Sequence, residues 1–469
     1  MPPQLPRHIH FVGALGRGMG AVLEAVAGCG VTVTGSDRPN AYGSKQERLR
    51  GLGISISHDF HEANLNPSPD LVVIGRAFVR GNPEVEAVLA RRIPYLSFPE
   101  FLCFYFLNGS RNLLVAGSKG KTTTTAMLAH LLSEAGLEPG YLIGGDLRSG
   151  AASARLGSEL HVLEADEYST LWWNANAKFL CYRPEVLIIT NIYPDHPDLN
   201  LNPDQILSQY RSLISQLPQS GLLVIGDSRG SMGIDSLLEE ALCEVRRLDE
   251  ECELPIASRP DPHMLGRQFV QWNNFEFTLG LPGLMNARNA LCAVLAARQL
   301  GVTFQQAAGC LRSFVGVKGR LELLSQTYKV CAYLDCYGYL PESLNANLSA
   351  LRALYPTSKI ILVYQPILVD QLPASREVLV SILVRFDAVA LIDEALSASL
   401  TPRPGQAFMA GLADQLRRES NLIGDQPMSL SICDRALASY LSPGCVVLFS
   451  VHPGLEDRVV PIVEVLTSR

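Results

Sequence analysis

The amino-acid sequence of 469 residues predicts an α/β protein built from three domains. Short apolar runs alternate with segments of helical spacing along the chain, which is typical of parallel sheets covered by helices. Two of these runs lead into glycine-containing loops that precede a helix, as in nucleotide-binding folds. The chain is also too long for one hydrophobic core, because a domain usually holds about 100 to 200 residues.

The first predicted domain, residues 1–107, is Rossmann-like. A glycine-rich loop, GALGRGMG, follows its first strand candidate, HIHFVGA, and an acid, Asp37, follows the second, VTVTGSD. Glycines let the backbone approach a diphosphate at a helix N-terminus, and Asp37 lies about where a ribose-binding acid is expected. We therefore predict a nucleotide site here; a tight turn whose glycines serve only packing is the alternative. Further strand candidates are ISIS, DLVVIG and IPYLSF.

The second predicted domain, residues 108–313, is a P-loop ATPase-type α/β domain. Its segment LVAGSKGKTTTTA reads as a strand, a loop and a helix start, although the glycine usual five residues before the Gly-Lys pair is Val115 here. In this context Lys121 can contact terminal phosphates, and Thr122 can offer its hydroxyl to Mg²⁺. The candidate nucleotide-binding residues of the loop are Gly117, Ser118, Lys119, Gly120, Lys121, Thr122 and Thr123.

Acidic and imidazole side chains follow two later strand candidates, in LHVLEADEY and LIITNIYPDHPD. The carboxyl ends of parallel strands face the ligand crevice of an open sheet, so these groups are expected opposite the phosphate loop. A metal-bound carboxylate and a histidine there would neutralise charge as a phosphoryl group moves. A helix-capping or turn role is the alternative for the histidine. The candidates are Glu164, Asp166, Glu167, Asn191, Asp195, His196 and Asp198.

The third predicted domain, residues 314–469, is a Rossmann-like α/β domain with strand candidates YKVCAYLD, KIILVYQP, AVALID and CVVLFS. Before it, GLMNARNAL places Asn286 and Asn289 on one face of a helix, where paired amides can read an adenine edge; helix capping is the alternative. Arg320 lies beside the domain junction, where it can reach the phosphates of a neighbouring domain, or else it is a solvated surface residue.

Composition excludes several classes of protein. The chain has 47% hydrophobic residues, 18% charged residues and a net charge of −7. This mild acidity argues against a broad nucleic-acid-binding surface, because the phosphate backbone binds clustered Lys and Arg. No apolar stretch approaches the ~20 residues of a membrane span, and the first residues lack a signal-peptide pattern. Eleven scattered cysteines predict neither a disulfide framework nor a zinc site. We expect a cytoplasmic protein that binds neither nucleic acid nor membranes.

The order of these motifs resembles that of the Mur ligases over nearly the whole chain. The segments that carry the resemblance include HIHFVGALGRGMG, VTGSD, VAGSKGKTTT, YLIGG, LEADEY, TNIYPDHPD and GRLEL, while RGNPEVEAVL and EADEY favour the branch of murein peptide ligases. The resemblance implies an ATP- and Mg²⁺-dependent amide ligase with UDP-sugar-, ATP- and peptide-binding domains, as a monomer or weak homodimer. Its substrates would be UDP-N-acetylmuramate and a peptide or amino acid, joined through an acyl phosphate in peptidoglycan recycling or biosynthesis.

The resemblance also implies roles for individual residues. The catalytic residues would be Lys121, Glu167 and His196. Magnesium would be held by Thr122, Glu167 and His196. Beyond the phosphate loop, ATP would be contacted by Asn286 and Asn289 at adenine, Arg320 at a phosphate and Asp335 at the ribose. The UDP-sugar would be bound by Gly13, Gly16, Gly18, Gly20, Ser36 and Asp37.

The last third of the chain departs from the family pattern. Where the family has DD(F/Y)(A/G)HHP, this chain reads DCYGYLP, so Cys336, Tyr339 and Leu340 replace an acid and two histidines. Apolar replacements cannot make charge-assisted contacts to a carboxylate-rich peptide. Two alternatives stay open: a ligase for L-alanine or another amine, and a nucleotide-binding pseudoenzyme. A switch NTPase is disfavoured by the first domain and by the Asp195-His196 pair.

Overall fold

The computed structural model of the protein describes residues 3–38, 48–76, 78–193, 202–228, 230–250, 256–261, 266–366, 375–394, 406–419, 421–424 and 426–468. This chain divides into two compact units. The first unit consists of Met1–Pro255 and Arg288–Phe314, and the second of Ile256–Ala287 and Val315–Arg469. None of the helices in these ranges combines the length and the hydropathy that a bilayer-spanning segment needs.

The first unit begins with a five-stranded parallel sheet of order β3-β2-β1-β4-β5. Its strands are β1 His8–Val12, β2 Thr32–Ser36, β3 Ser55–Ser57, β4 Leu71–Ile74 and β5 Tyr95–Ser97. Its helices are α1 Arg17–Ala27, α2 Pro83–Arg91 and α3 Phe98–Leu102, with a 3₁₀ turn at Glu62–Leu65 and a π-helical turn at Cys103–Leu107. Asn82 caps α2 and Ser97 caps α3, each with proline in the first turn, so polar residues fix both helix starts.

A seven-stranded sheet of order β14-β13-β12-β6-β9-β7-β8 completes the first unit, and only its β7–β8 pair is antiparallel. The strands are β6 Arg111–Ala116, β7 Gly140–Leu142, β8 Ala154–Arg155, β9 Leu160–Glu164, β12 Val186–Ile189, β13 Leu222–Ile225 and β14 Glu244–Arg247. A separate antiparallel hairpin joins β10 Ser169–Leu171 to β11 Asn174–Ala177. The helices are α4 Lys121–Glu134, α5 Pro203–Ile214, α6 Ile234–Leu238, α7 Leu284–Arg298, whose first turn belongs to the second unit, and α8 Phe304–Ser313; a 3₁₀ turn covers Lys178–Cys181.

The register of this sheet determines what the site contains. Strand β12 is apolar and buried throughout, and β6 is buried after Arg111 and apolar after Asn112, as expected of parallel strands covered on both faces. Ala116 pairs with Ile189, and Val115 pairs with Glu164. The segments that follow β6, β9 and β12 therefore leave the sheet side by side at one edge.

The second unit contains a small antiparallel sheet and a five-stranded sheet of order β18-β19-β22-β20-β21, parallel except for β18–β19. The small sheet consists of β15 Ala257–Pro260, β16 Gln268–Trp272 and β17 Phe275–Leu279. The larger sheet consists of β18 Glu322–Gln326, β19 Val330–Leu334, β20 Ile360–Tyr364, β21 Ala388–Leu391 and β22 Cys445–Ser450. The helices are α9 Pro341–Leu354, α10 Ser375–Leu383, α11 Gln406–Arg418, α12 Cys433–Ala438 and α13 Glu456–Ser468, with a 3₁₀ turn at Leu430–Ile432.

The predicted α/β class is confirmed, and the strand candidates quoted from the sequence coincide with strands of the three larger sheets. The domain boundaries after residues 107 and 313 stay a prediction. The two larger sheets of the first unit fall on either side of the first boundary. The small sheet, which the prediction placed in the central domain, lies in the second unit.

Candidate functional site

The loop between β6 and α4 is a tight turn that two glycines make possible. Gly117 has φ +126°, and a Cβ atom placed there would overlap Thr190 Oγ1 and lie 2.8 Å from the Asn191 carbonyl oxygen. Gly120 adopts the left-handed conformation at φ +89°, and a Cβ atom there would lie 2.6 Å from Asn289 Oδ1. Residues that carry a side chain rarely adopt these backbone conformations, so glycine is required at both positions.

The segment after β12 holds this loop in place. The Asn191 side chain makes two hydrogen bonds to Lys119: its Oδ1 accepts from the backbone N–H at 2.8 Å, and its Nδ2 donates to the carbonyl at 3.0 Å. Ser118 Oγ donates to the Tyr193 carbonyl at 2.9 Å and accepts from the Tyr193 N–H at 2.8 Å. The sequence singled out Asn191 as one polar group near the site, but its role in fixing the loop depends on the register of β6 and β12.

Helix α4 offers its N-terminus to the loop. Gly120 occupies the N-cap position, and among the described residues no side chain caps the helix. The first amides of a helix have no partner within the helix, and the helix dipole favours an anion beside them. A glycine cap therefore leaves this end suited to a phosphate group.

Lys121 and Glu167 form a buried ion pair next to this helix end. The Lys121 ammonium lies 3.0 Å from Glu167 Oε2 and donates a second hydrogen bond of 2.6 Å to the Gly117 carbonyl. Both residues are less than a tenth exposed. Burial lowers the pKa of Lys121, but the carboxylates of Glu167, Asp166 and Glu164 outweigh burial and raise the pKa above its ordinary value. The ammonium is therefore charged at any physiological pH.

A second carboxylate faces the first turn of α4. Thr122 Oγ1 donates to Glu164 Oε1 at 3.0 Å, and the Gly144 N–H donates to the other carboxylate oxygen at 2.8 Å. Asp166 forms an ion pair of 2.7 Å with Lys178. The structure thus gathers Lys121, Thr122, Glu164 and Glu167 at the carboxyl edge of the sheet, where the sequence predicted them.

The donor set at this edge is consistent with a magnesium ion that is shared with phosphates. Carboxylate and hydroxyl oxygens are the ligands that Mg²⁺ prefers, and it commonly binds through one or two carboxylates with phosphate and water completing its shell. Among the described residues no group of three or more His, Cys, Asp or Glu forms a preassembled metal site. The predicted ligand His196, with Asp195 and Asp198, lies outside the described residues.

The glycine loop after β1 is tied to the end of β2. Gly13 has φ +87°, and a Cβ atom there would overlap Phe78 Cε2 and lie 2.9 Å from Phe78 Cδ2. Gly16 caps helix α1, in which Gly18 and Gly20 lie. The Asp37 carboxylate accepts a hydrogen bond of 2.7 Å from the Leu15 N–H within the loop.

A buried polar group lies behind this loop. Ser36 donates a short hydrogen bond to the Glu84 carboxylate, whose other oxygen accepts from Asn64 Nδ2 at 2.5 Å. His10 Nε2 is 3.8 Å from the same carboxylate. Ser36 is fully buried and Asp37 nearly so, and both side chains have partners in the protein. Their predicted contacts with a UDP-sugar stay a prediction.

The remaining predicted ATP contacts fall into two places. Asn289 lies in the first unit, where its side chain faces Gly120. Asn286, Arg320 and Asp335 belong to the second unit. There the Arg320 guanidinium stacks 3.5 Å above the Tyr337 ring. Asp335 accepts hydrogen bonds from Asn347 Nδ2 at 2.6 Å and from the Tyr337 N–H at 2.9 Å.

The asparagines and Asp335 are less than a tenth exposed. Asn286, in the first turn of α7, donates a hydrogen bond of 2.8 Å to the Pro282 carbonyl four residues earlier, which is not an N-cap contact. Tyr337 contacts both Arg320, through its ring, and Asp335, through its backbone N–H, so these two residues lie near each other in the second unit. Their predicted contacts with ATP stay a prediction.

Comparison with known proteins gives the family. The signature of the Mur ligase middle domain matches residues 115–297, and that of the Mur ligase family catalytic domain matches residues 8–104. The UDP-N-acetylmuramate–L-alanyl-γ-D-glutamyl-meso-2,6-diaminoheptandioate ligase of Haemophilus influenzae is 36% identical over 74% of this chain and 76% of its own length. The chain belongs to the Mur ligase family. The UDP-N-acetylmuramate–L-alanine ligase of Acidithiobacillus ferrooxidans is also similar to this Mur ligase, at 32% identity over 87% of this chain and 88% of its own.

Solved structures agree with the family. The crystal structure of the UDP-N-acetylmuramate:L-alanyl-γ-D-glutamyl-meso-diaminopimelate ligase from Neisseria meningitides matches with a TM-score of 0.61 and 33% identity, covering 67% of this chain and 100% of that one. The UDP-N-acetylmuramate–alanine ligase from Thermotoga maritima shares the fold, with a TM-score of 0.76 at 23% identity over 98% of this chain and 99% of the other. The predictions of a three-domain Mur ligase fold and of an ATP-dependent acid–amino-acid ligase are thereby confirmed.

Proposed function

We propose that this Mur ligase joins a peptide amine to the carboxylate of UDP-N-acetylmuramate, with Mg²⁺ as its metal. The observation that carries the proposal is the set of Lys121, Thr122, Glu164 and Glu167 around an uncapped helix end. This set can hold the terminal phosphates of ATP together with a divalent cation. The peptide is favoured by relatives that are named for the tripeptide reaction, one of them 36% identical to this chain.

The reaction has two chemical steps. The muramoyl carboxylate attacks the γ-phosphorus of ATP, which forms an acyl phosphate and releases ADP. The peptide amine then attacks the acyl carbon, so that the amide forms, phosphate leaves and the amine loses a proton. Lys121 and the amides of α4 hold the negative charge that spreads over the moving phosphoryl group. Magnesium, when bound, supplies further charge neutralisation between the phosphates and the carboxylates.

The protein's own residues set the geometry of these steps. Gly117 and Gly120 bring the backbone close to the phosphates, and Asn191 fixes the loop between them. Glu167 holds Lys121 before nucleotide arrives, and Glu164 holds Thr122. Arg320 and Asp335 of the second unit would contact a phosphate and the ribose of ATP.

A product assay tests the proposal. The protein is incubated with ATP, MgCl₂ and UDP-N-acetylmuramate, and L-alanyl-γ-D-glutamyl-meso-diaminopimelate or single amino acids are added in turn. Conjugate is detected by mass spectrometry alongside released phosphate. Conjugate with the tripeptide but not with L-alanine is the expected result, and conjugate with a single amino acid only would contradict the peptide assignment.

A second candidate keeps the acceptor and changes the amine. In the segment DCYGYLP of the second unit, the Tyr337 ring stacks with Arg320, and the backbone carbonyl of Tyr339 accepts a hydrogen bond of 2.8 Å from the Tyr364 hydroxyl. Such a segment offers fewer cations to a carboxylate-rich peptide, which favours a smaller amine such as L-alanine. Nucleotide binding without conjugate for any amine would instead support a pseudoenzyme.

A further inference from the structure

The hydroxyl group of Tyr210 belongs to a chain of hydrogen bonds that ends at the start of the phosphate loop. It donates to Glu167 Oε1 at 2.7 Å, and Glu167 Oε2 accepts from Lys121 Nζ at 3.0 Å. Lys121 Nζ also donates to the Gly117 carbonyl at 2.6 Å. The sequence did not point to Tyr210, because it lies in helix α5, 43 residues after Glu167.

Packing allows the Tyr210 side chain little freedom. The residue is 1% exposed, and its ring centroid lies 5.7 Å from that of Phe179. The packed ring therefore presents its hydroxyl to Glu167 as a fixed donor.

A bound nucleotide competes with Glu167 for Lys121. The Lys121 ammonium contacts the Gly117 carbonyl and the Glu167 carboxylate, and a terminal phosphate attracts it more strongly than a carboxylate because it carries more negative charge. Once Lys121 turns to a phosphate, the buried Glu167 carboxylate loses its ion-pair partner. A buried carboxylate without fixed partners is costly and free to rotate, whereas one held by a packed donor keeps its direction.

We propose that Tyr210 is a positioning residue, which keeps the Glu167 carboxylate in its functional orientation while Lys121 transfers from it to a phosphate. Glu167 Oε2, released by Lys121, then faces the site that the metal and phosphates share, and Oε1 stays bonded to Tyr210. This inference rests on the proposed function, because Lys121 and Glu167 act there on ATP and Mg²⁺.

The variant Tyr210→Phe removes the hydroxyl and retains the ring. We expect kcat to fall about 10- to 100-fold, the usual loss when a residue that orients a metal-binding carboxylate is changed. The KM for UDP-N-acetylmuramate should change by less than about threefold, because the contacts with this substrate remain. The Mg²⁺ concentration that gives half the maximal rate should rise about tenfold.

Tyr182→Phe is the matched control. Tyr182 is also 1% exposed, belongs to the same core and makes no described hydrogen bond to Glu167. Its variant loses a buried hydroxyl but should keep kcat and the Mg²⁺ requirement within about twofold of the wild type, since positions away from the site act through stability alone. A Tyr210→Phe enzyme that behaves like Tyr182→Phe would overturn the inference.

A binding measurement removes the dependence on turnover. Titration calorimetry measures the affinity for ADP with and without MgCl₂ in the wild type, Tyr210→Phe, Glu167→Gln and the double variant. Tyr210→Phe should weaken the Mg²⁺-dependent binding about five- to tenfold, and by less than about twofold when Glu167 is already Gln. Losses that simply multiply in the double variant would show that Tyr210 does not act through Glu167.

The two proposals fail in different ways. A wild-type protein that joins no amine, but in which Tyr210 and Glu167 are coupled in ADP binding, contradicts the ligation and supports the role of Tyr210. A wild-type protein that makes conjugate, with no change on Tyr210→Phe, contradicts the role of Tyr210 alone.

Discussion

At the scale of single residues, Lys121 shows how the site is prepared for a phosphate. Its ammonium is desolvated and already bonded to Glu167 and to the Gly117 carbonyl, so a phosphate that binds can replace Glu167 as its anionic partner. The exchange is favourable because a terminal phosphate carries more negative charge than the carboxylate it displaces.

Lys121→Ala should therefore abolish turnover while leaving the UDP-sugar site unaffected. The phosphoryl group loses its buried cation, and removal of one such electrostatic group costs about 10²- to 10³-fold or more in kcat. Phosphate release under saturating substrates measures the loss, and titration with UDP-N-acetylmuramate gives the control affinity, which should stay within about twofold. Unchanged turnover would contradict the assignment of the ATP site.

His161 in β9 is a buried histidine outside the site, and it makes stability depend on pH. Burial lowers its pKa to about 4. Its Nδ1 lies 3.2 Å from Ser110 Oγ, and its buried Nε2 has no hydrogen-bond partner among the described residues. The ring is therefore neutral in the folded protein near pH 7.

Acid should destabilise the protein through this residue. The folded pKa of about 4 lies below the ordinary 6.5, so the unfolded chain binds the proton first. The stabilising contribution is complete above pH 6.5 and is lost as the pH falls towards 4. At pH 5 the folded protein should have lost about 2 kcal/mol of its unfolding free energy through this residue. Urea unfolding of the wild type and His161→Asn at pH 8 and pH 5 measures the difference. If both proteins lose the same stability, His161 is not the cause.

At the scale of elements, the two glycine loops differ in what their glycines do. In the loop after β1, Gly13 is required by its positive φ and by the Phe78 ring. Gly18, in helix α1, would bring a Cβ atom only to an ordinary 3.6 Å contact with Phe98. The sequence pattern GALGRGMG makes them look equivalent, and only the backbone conformation separates them.

Gly13→Ala should destabilise the protein, and Gly18→Ala should not. Backbone strain at a positive φ costs about 1 kcal/mol or more, and the overlap with the Phe78 ring adds to it. Alanine inside a helix instead favours the helix by about 0.5 to 1 kcal/mol over glycine. Urea unfolding of the two variants beside the wild type tests this contrast. Equal stability of the pair would show that the Phe78 ring yields to the new methyl group.

The same pair separates folding from binding at the predicted UDP-sugar site. If Gly18 lets the backbone approach the diphosphate, Gly18→Ala should weaken UDP-N-acetylmuramate binding about tenfold while keeping its stability. Titration calorimetry provides the affinity. A stable variant with the affinity of the wild type would remove Gly18 from the predicted site.

At the scale of the whole molecule, ligands should stabilise the protein selectively. A ligand at 100 times its Kd raises the unfolding free energy by about 2.7 kcal/mol if it binds only the folded protein. UDP-N-acetylmuramate should raise the unfolding temperature of both the wild type and Lys121→Ala, and ADP with MgCl₂ that of the wild type only. Calorimetric scans with each ligand measure these shifts, and a shift of Lys121→Ala by ADP equal to that of the wild type would argue against the proposed phosphate contact.

The sequence predicted those parts of the molecule that depend on local pattern. Continuous apolar runs identified the parallel strands, because such strands are buried on both faces, and the Gly-Lys-Thr order identified the phosphate loop. The strands β16 and β17 were not predicted, although QFVQW and FEFTL alternate between buried and exposed positions. Short alternating strands give a weak signal beside the long apolar ones.

What the sequence did not predict depends on residues distant in the chain that meet in space. The hold of Asn191 on the loop follows from the pairing of Ala116 with Ile189. The bond from Tyr210 to Glu167 requires helix α5 to pack over the sheet edge. Neither of these two contacts can be predicted from the spacing of neighbouring residues, whereas the order of motifs was sufficient to identify the family.

The crowding around Gly117 has a consequence for genetics. Since even a methyl group there would overlap Thr190 and strain the backbone, nearly every substitution should inactivate the gene in a selection, whatever the loop binds. Loss of growth at this codon would thus report on folding, and it would be uninformative about nucleotide use. Lys121 and Tyr210 lie in ordinary helical backbone, so conservative changes there should leave the fold intact. Loss of growth in those variants would report on the chemistry of the site.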